Sequence, residues 1–270
     1  MPESVTSFFT EPADFAAALA KEGSGSLVIT GHGQFRARLT RIALNFFRLL
    51  AGEESLSRIA FVSVPDRMIL VALPREPGPA PIWDGSAVQA DQIMIFGPGS
   101  FVHMRTDGPC RWAAILVPVD DLARYFHGVV GDTFTVPMGT GRWHPRRAAG
   151  KRLQHLHAAA ISAVEGGHAE FIGREAAHGL DQQLVGALVG CLSADSIVLE
   201  TPIMRRDQET MIRFEALLER RSTDGPSLAE IGVALGVSQP VLHRYCRMHL
   251  GMSPANYLHF RTTQHLRPKG

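Results

Sequence analysis

Four side chains of types that commonly bind nucleic acid lie close together near the end of the chain, in the stretch ALGVSQPVLHRYCR, residues 234–247. Gln239 and Arg244 belong to the two residue types that form paired hydrogen bonds with the edges of adenine and guanine. His243 lies beside Arg244, and Arg247 has the charge and reach to bind a phosphate. This pattern predicts contact between one short helix and duplex DNA.

The flanking residues predict the two helices that position these side chains. Ser227 and Glu230 have the spacing of a capping box, in which each side chain accepts a hydrogen bond from the other residue's backbone. Gly236 predicts a sharp helix end, since glycine adopts the left-handed conformation without strain. Ser238 is expected to cap the next helix, and Pro240 fits in its first turn. Helix, three-residue turn and helix form the helix-turn-helix pattern.

The second helix of such a unit enters the major groove of DNA with its N-terminal half against the base edges. Leu242 and Cys246 are four residues apart, so they share one helix face, which we expect to be buried. The residues predicted to contact DNA are Ser238, Gln239, Pro240, His243, Arg244 and Arg247.

Charge is unevenly distributed along the chain. Residues 203–270 contain ten Lys and Arg against six Asp and Glu, a net charge of +4, whereas residues 1–202 have a net charge of −3. The last forty residues contain no acidic side chain. A basic end on a mildly acidic body indicates that this end alone binds a polyanion.

Residues 227–258, SLAEIGVALGVSQPVLHRYCRMHLGMSPANYL, resemble the first helix-turn-helix of the AraC family of bacterial transcription regulators. The family pattern runs I-A-x-x-x-G-x-S-x-x-x-L-x-R-x-F and then G-x-S-P-x-x-Y. The matching residues are Ile231, Gly236, Ser238, Leu242, Arg244, Gly251, Ser253, Pro254 and Tyr257. The resemblance implies a DNA-binding regulator with a cupin-like sensor domain. It also implies four partners: promoter DNA, a second copy in a homodimer, a small-molecule effector and RNA polymerase.

The chain departs from the family pattern in three places. Gly232 replaces a usual Ala, at a cost of roughly 1 kcal/mol in helix propensity. Cys246 replaces a usual Phe, and neighbouring Tyr245 is expected to supply part of the lost core volume. The family module has two helix-turn-helix units joined by a long helix, and the apolar pattern of that helix fades after Arg261. We therefore expect a truncated module with one unit of the two.

The rest of the chain predicts an α+β protein. Short apolar runs between residues 26 and 116, separated by Pro and Gly turns, predict a small antiparallel barrel or sandwich. Strands followed by helices are also the layout of AraC-family sensor domains, and this resemblance implies a cupin-like antiparallel β-barrel. Helical patterns follow, near residues 120–126, 146–167 and 173–192. These helices can cover the barrel or pair with a second copy. We predict a sensor and dimerisation domain over 1–202 and an all-α helix-turn-helix domain over 203–270, with the linker near 194–204.

Composition excludes several classes of protein. With 45% apolar and 20% charged residues, the chain is typical of globular proteins. It has no apolar run of the roughly 20 residues that a membrane span needs, and its start, MPESVTSFFTEPADF, lacks the pattern of a secretory signal. We therefore expect a cytoplasmic protein. Cys110, Cys191 and Cys246 are far apart and odd in number, so we expect buried thiols.

From the sequence we expect no metal site, no cofactor and no enzymatic activity. His32 and His103 are isolated in the barrel segment; His103 could bond a ligand, although a hydrogen-bonded core histidine is the commoner state. His155 and His157 form an H-x-H pair, but residues two apart on a helix point to different sides. The sequence contains no nucleophile elbow, phosphate loop or zincin pattern.

The sequence leaves two main hypotheses. The first is a transcription regulator that reads promoter DNA and senses an effector. The alternative is a truncated regulator that dimerises or senses a ligand without recognising DNA by itself. A cupin-like enzyme is a weaker third option, because the metal-binding histidine pair of such enzymes is absent from the barrel segment.

Overall fold

The computed structural model describes residues 4–23, 25–75, 81–87, 89–131, 139–167, 174–193, 197–199, 202–219 and 227–265. Its strands are β1 (Ser4–Phe9), β2 (Gly25–Ile29), β3 (Ala37–Ala43), β4 (Arg48–Glu54), β5 (Arg58–Ser63), β6 (Met68–Leu73), β7 (Ile82–Trp83), β8 (Ser86–Ala87), β9 (Ile93–Phe96), β10 (Phe101–Thr106), β11 (Cys110–Pro118), β12 (Thr140–Trp143) and β13 (Ile197–Leu199). Its helices are α1 (Pro12–Leu19), α2 (Val119–Val130), α3 (Arg147–Glu165), α4 (Arg174–Leu192), α5 (Pro202–Glu219), α6 (Leu228–Leu235), α7 (Gln239–Leu250) and α8 (Pro254–His265).

The larger of two antiparallel sheets is buried on both faces. Its strand order is β1-β3-β4-β11-β6-β9-β12-β13. In β6, Ile69 and Val71 point into one apolar cluster, while Leu70 and Ala72 point into another. Burial on both faces is the reason that strands such as MILVAL are apolar throughout rather than alternating.

The smaller sheet, with the order β2-β5-β10-β7-β8, covers one face of the larger sheet. Leu70 and Phe96 of the larger sheet share a core with Val102, Met104 and Trp83 of the smaller sheet. The α+β class and antiparallel pairing agree with the sequence prediction, and the strands form a two-sheet sandwich rather than the closed form of the cupin-like barrel. Side-chain packing joins the two sheets, and no hydrogen-bonded strand pairing connects them among the described residues.

Helices cover both outer faces of this sandwich. Three helices, α2 to α4, pack on the larger sheet through side chains such as Leu153, Ile161 and Leu188. On the opposite side, Val28 and Ile59 of the smaller sheet share a cluster with residues of α5 to α8, including Phe214. The molecule therefore has four layers: helices, the larger sheet, the smaller sheet and the C-terminal helices.

Two elements fall where the sequence predicts loop or linker. Asp84 and Gly85 have positive φ angles of 44° and 78° and form the turn of a small β7–β8 hairpin. Asp-Gly is a preferred sequence for such turns. Within the expected linker, β13 pairs with β12, although residues 194–196 and 200–201 lie outside the described part of the chain. No helix in the described residues is sufficiently long and apolar to cross a membrane.

The two histidines of the H-x-H pair have different environments. His155 is exposed, whereas His157 is buried and its Nε2 donates a hydrogen bond of 3.1 Å to the carbonyl oxygen of Leu50. The prediction that the two side chains point to different sides of α3 is confirmed. Burial lowers the pKa of His157 to about 4, because the charged imidazolium would lose its hydration.

We expect the stability to fall in acid because of His157. The unfolded chain binds a proton at this imidazole near pH 6.5, but the folded chain binds it only near pH 4. The stabilising contribution is therefore complete above pH 6.5 and is lost as the pH falls toward 4, by up to about 3 kcal/mol. Urea unfolding at several pH values should show a flatter profile for His157→Leu, and an unchanged profile for the exposed control His155→Leu. Equal slopes in all three proteins would contradict the assignment.

Candidate functional site

The segment from Ser227 to the start of α7 has nearly all the features that the sequence predicts. Ser227 Oγ accepts from the backbone N–H of Glu230 at 3.3 Å, and the Glu230 carboxylate accepts from the backbone N–H of Ser227 at 2.8 Å, so the capping box is present. Gly236 is left-handed, with φ 68°. Ser238 occupies the N-cap position of α7, but its side chain makes no capping hydrogen bond. Ser238 therefore has the extended backbone of an N-cap residue but lacks the expected side-chain hydrogen bond, so its Oγ can bind other partners.

One side of α7 is accessible along the segment proposed to contact DNA. Leu242 and Cys246 are fully buried, as predicted, and burial raises the pKa of the Cys246 thiol to about 12. Tyr245 is also buried, and the Arg244 guanidinium lies 5.2 Å from the centre of its ring. Of the residues predicted to contact DNA, His243 is half-buried and the exposed ones are Ser238, Gln239, Pro240, Arg244 and Arg247.

The other end of α7 is packed against the smaller sheet. Met248 lies so close to the hairpin turn that a Cβ on Gly85 would be 2.9 Å from its carbonyl oxygen. At the helix end, a Cβ on Gly251 would collide with the guanidinium of Arg105 from β10. A cation there is favourable, because the C-terminus of a helix carries partial negative charge. The helix is therefore attached to the sheet by its C-terminal end.

A buried carboxylate, Glu215 of α5, links the sheet to the C-terminal helices. Its Oε1 accepts hydrogen bonds from His103 Nε2 at 3.0 Å and from the Tyr257 hydroxyl at 2.7 Å, and its Oε2 accepts from Arg261. His103 belongs to β10, while Tyr257 and Arg261 belong to α8. An ionised carboxylate only accepts hydrogen bonds, so His103 must donate through Nε2.

The charge of Glu215 is stabilised by its partners despite complete burial. Burial alone would raise its pKa, but the hydrogen bond from His103 and the charge of Arg261 reverse the effect and lower the pKa below its usual value. Burial and the charge of Glu215 together raise the pKa of Tyr257 well above its ordinary value, so this hydroxyl stays a donor. Glu215 is therefore an ionised acceptor that three donors surround.

A second polar group lies next to this network. The Asp84 carboxylate accepts hydrogen bonds from the backbone N–H of His103 and from Gln208 Nε2, each at 2.9 Å. His249 of α7 lies opposite, with Nδ1 3.8 Å from Asp84 Oδ1. Both ring nitrogens of His249 are buried, and neither has a hydrogen-bond partner among the described residues. Such unsatisfied groups cost about 1–3 kcal/mol, so their burial is not explained by stability.

The inner face of the smaller sheet lines a cavity of about 70 Å³. A buried water needs roughly 10–15 Å³ on this scale, so the cavity has room for several waters or a small organic group. Its walls are mostly apolar and include Leu27, Trp83 and Met104. Two buried polar atoms in the wall, Trp83 Nε1 and Ser26 Oγ, have no hydrogen-bond partner within the ranges that the structure describes.

Sequence reasoning did not identify the buried network. Glu215 is surrounded in sequence by the apolar positions Met211, Phe214 and Leu218, which form the buried stripe of α5. Glu215 lies four residues after Met211 and so faces the same side of the helix. This spacing is the one sequence feature that indicates a buried carboxylate. His103 had no comparable signal, because its partners Glu215 and His249 come from distant segments of the chain.

We expect substitutions in the Glu215 network to destabilise the chain. Tyr257→Phe removes one hydrogen bond to a charged group and should cost about 1.5–3 kcal/mol. Glu215→Leu leaves Arg261 buried without its counter-charge and should cost about 3–5 kcal/mol. Denaturant unfolding measures both values. Tyr125→Phe is the matched control, because the Tyr125 hydroxyl has only a 3.4 Å contact from Gln182 in an exposed position. A loss in Tyr257→Phe no larger than in the control would contradict the network's role.

Comparison with known proteins identifies a similar fold. No family model matches the sequence, and no curated protein matches it. Among solved structures, the AraC-like transcriptional activator CuxR aligns over 99% of this chain and 96% of its own, with TM-score 0.50 and 13% sequence identity. ToxT from Vibrio cholerae aligns over 96% of this chain and 98% of its own, with TM-score 0.25 and 8% identity, which is too distant to add to the assignment. The chain has an AraC-like fold.

Proposed function

We propose that the chain is a transcription regulator that binds promoter DNA through α7. The observation that carries this proposal is the exposure of Gln239, Arg244 and Arg247 on one accessible side of a helix that follows a three-residue turn. These side chains have the chemistry of base and phosphate contacts, and the fold is that of an AraC-like activator. In this proposal residues 1–202 sense and dimerise, and residues 203–270 bind DNA.

Dimerisation follows from the small size of the DNA-binding surface. A single helix neutralises only a few phosphates, and such sequence-independent binding typically has a Kd of 10⁻⁴–10⁻⁶ M at physiological salt. Two copies on half-sites about one helical turn apart would combine their contacts. We therefore propose a homodimer on promoter DNA, with RNA polymerase as a further partner.

Effector sensing is proposed for the cavity of the smaller sheet. The β7–β8 hairpin and strand β10 face both the cavity and the C-terminal helices: Trp83 and Met104 line the cavity, while Asp84 and His103 face α5 and α7. A molecule in the cavity would contact the same strands that hold α7. The free indole N–H of Trp83 favours an apolar effector with one hydrogen-bond acceptor.

One observation favours the alternative, a regulator that senses or dimerises without reading DNA by itself. The C-terminal end of α7 is packed against β10 and the β7–β8 turn, so the helix cannot rotate freely toward a duplex. Native mass spectrometry with an intact AraC-like regulator separates the two functions. Heterodimers without autonomous DNA binding would support the alternative, and a strictly monomeric chain would count against it.

The first test of the proposal is selection of preferred sites from a random duplex library at low salt. Arg244→Ala should cost about 1–3 kcal/mol at the preferred sequence and reduce discrimination between sequences. Arg247→Ala should weaken binding to all duplexes and reduce the salt slope by about 1. Arg152→Ala, an exposed substitution on α3, is the control. Failure of the wild type to prefer any sequence over random duplex would overturn autonomous recognition.

The second test uses acetophenone, which combines an apolar ring with one carbonyl acceptor, as a probe of the cavity. We expect it to raise the Tm of the wild type, because it binds only the folded chain. Trp83→Phe keeps the ring and removes the N–H donor, so the probe should bind about fivefold more weakly, the equivalent of one neutral hydrogen bond. Trp143→Phe is the control, since Trp143 is buried on the opposite face of the larger sheet. Equal weakening in both variants would exclude this site.

A further inference from the structure

We propose that Asp84, His103 and His249 form a binding site for a divalent transition-metal ion, with Zn²⁺ the best match. Each residue offers one ligand atom, and these atoms lie within 4.8 Å of one another. The set joins the β7–β8 turn, strand β10 and helix α7. A bound ion would therefore fasten the end of α7 to the smaller sheet.

The state of His249 is the main argument for a ligand. Its side chain is only 4% exposed, its two nitrogens have no hydrogen-bond partner in the described part of the chain, and Nδ1 faces the Asp84 carboxylate at 3.8 Å. This separation is too long for a hydrogen bond. Buried polar groups in native proteins are nearly always satisfied, and an ion between the two side chains would satisfy the imidazole and the carboxylate together.

The surrounding hydrogen bonds match those of known metal sites. A metal-bound histidine commonly donates its other ring nitrogen to a carboxylate, which fixes the ring and raises its basicity. His103 Nε2 donates to Glu215, so the ring already has this arrangement with Nδ1 remaining for a metal. Gln208 likewise donates to Asp84 Oδ2 at 2.9 Å and orients the carboxylate.

The ligand types select the ion. Two imidazoles with one carboxylate suit Zn²⁺ and related borderline ions, whereas Mg²⁺ and Ca²⁺ prefer oxygen ligands throughout. With metal–ligand bonds of 2.0–2.1 Å, ligand atoms in a tetrahedral site lie about 3.3 Å apart. Small side-chain rotations would therefore close the site, and three protein ligands would leave a fourth position for water. The site binds a metal whether or not the chain reads DNA, so the tests need no DNA.

The first experiment titrates the metal-free full-length protein with Co²⁺, which absorbs visible light strongly when tetrahedral, and then displaces it with Zn²⁺. We expect one equivalent to bind. Asp84→Asn suits the positive φ of the turn but removes the carboxylate charge, and His249→Leu removes an imidazole. Each variant lacks one metal ligand, so Co²⁺ should bind at least 10–100-fold more weakly, which is the loss that removal of an outer-shell partner typically causes. His155→Leu makes the same change at an exposed site and should bind like the wild type.

The change in Tm on adding Zn²⁺ distinguishes a metal site from a purely structural role of His249. Zn²⁺ should raise the Tm of the wild type and slow hydrogen exchange at the C-terminal end of α7. Metal-free His249→Leu should be at least as stable as the metal-free wild type, because no hydrogen bond is lost, yet its Tm should not respond to Zn²⁺. The proposal is overturned if Co²⁺ fails to bind, or if both Asp84→Asn and His249→Leu bind it like the wild type.

Discussion

The arrangement of the C-terminal helices depends on the buried charge of Glu215. A buried carboxylate is costly unless donors surround it, and here His103, Tyr257 and Arg261 supply them from a strand and a helix that are distant in sequence. The charge is stable only while β10, α5 and α8 keep their relative positions. His103 also lies beside α7, with its ring centre 6.3 Å from that of His249.

The smaller sheet then connects two chemically different faces. Trp83, the last residue of β7, faces the apolar cavity, while Asp84 in the turn that follows faces the helices. Met104 and His103 divide in the same way on the paired strand. A ligand on one face acts on the other only if it binds two arrangements of these strands with different affinity.

Local patterns predicted the parts of the fold that are determined locally. The capping box, the glycine turn and the buried positions Leu242 and Cys246 follow from spacings of three and four residues, and the structure contains them. Apolar runs showed where strands occur, but they cannot show which strands pair, so the two-sheet arrangement could not be derived from them. The Glu215–His103 bond joins residues 112 positions apart, and no local pattern encodes such a contact.

The two ends of α7 have different roles because a helix is stiff. Its twelve residues span about 18 Å. At one end His249 and Met248 are held against the sheet, and at the other Gln239 and Pro240 face solvent. A small tilt at the attached end therefore becomes a larger displacement at the free end. In the proposed DNA-binding role, base contacts would depend on the orientation of α7 in the groove, so loosening or tightening its attachment to the sheet would change DNA recognition without any contact between the proposed effector and DNA.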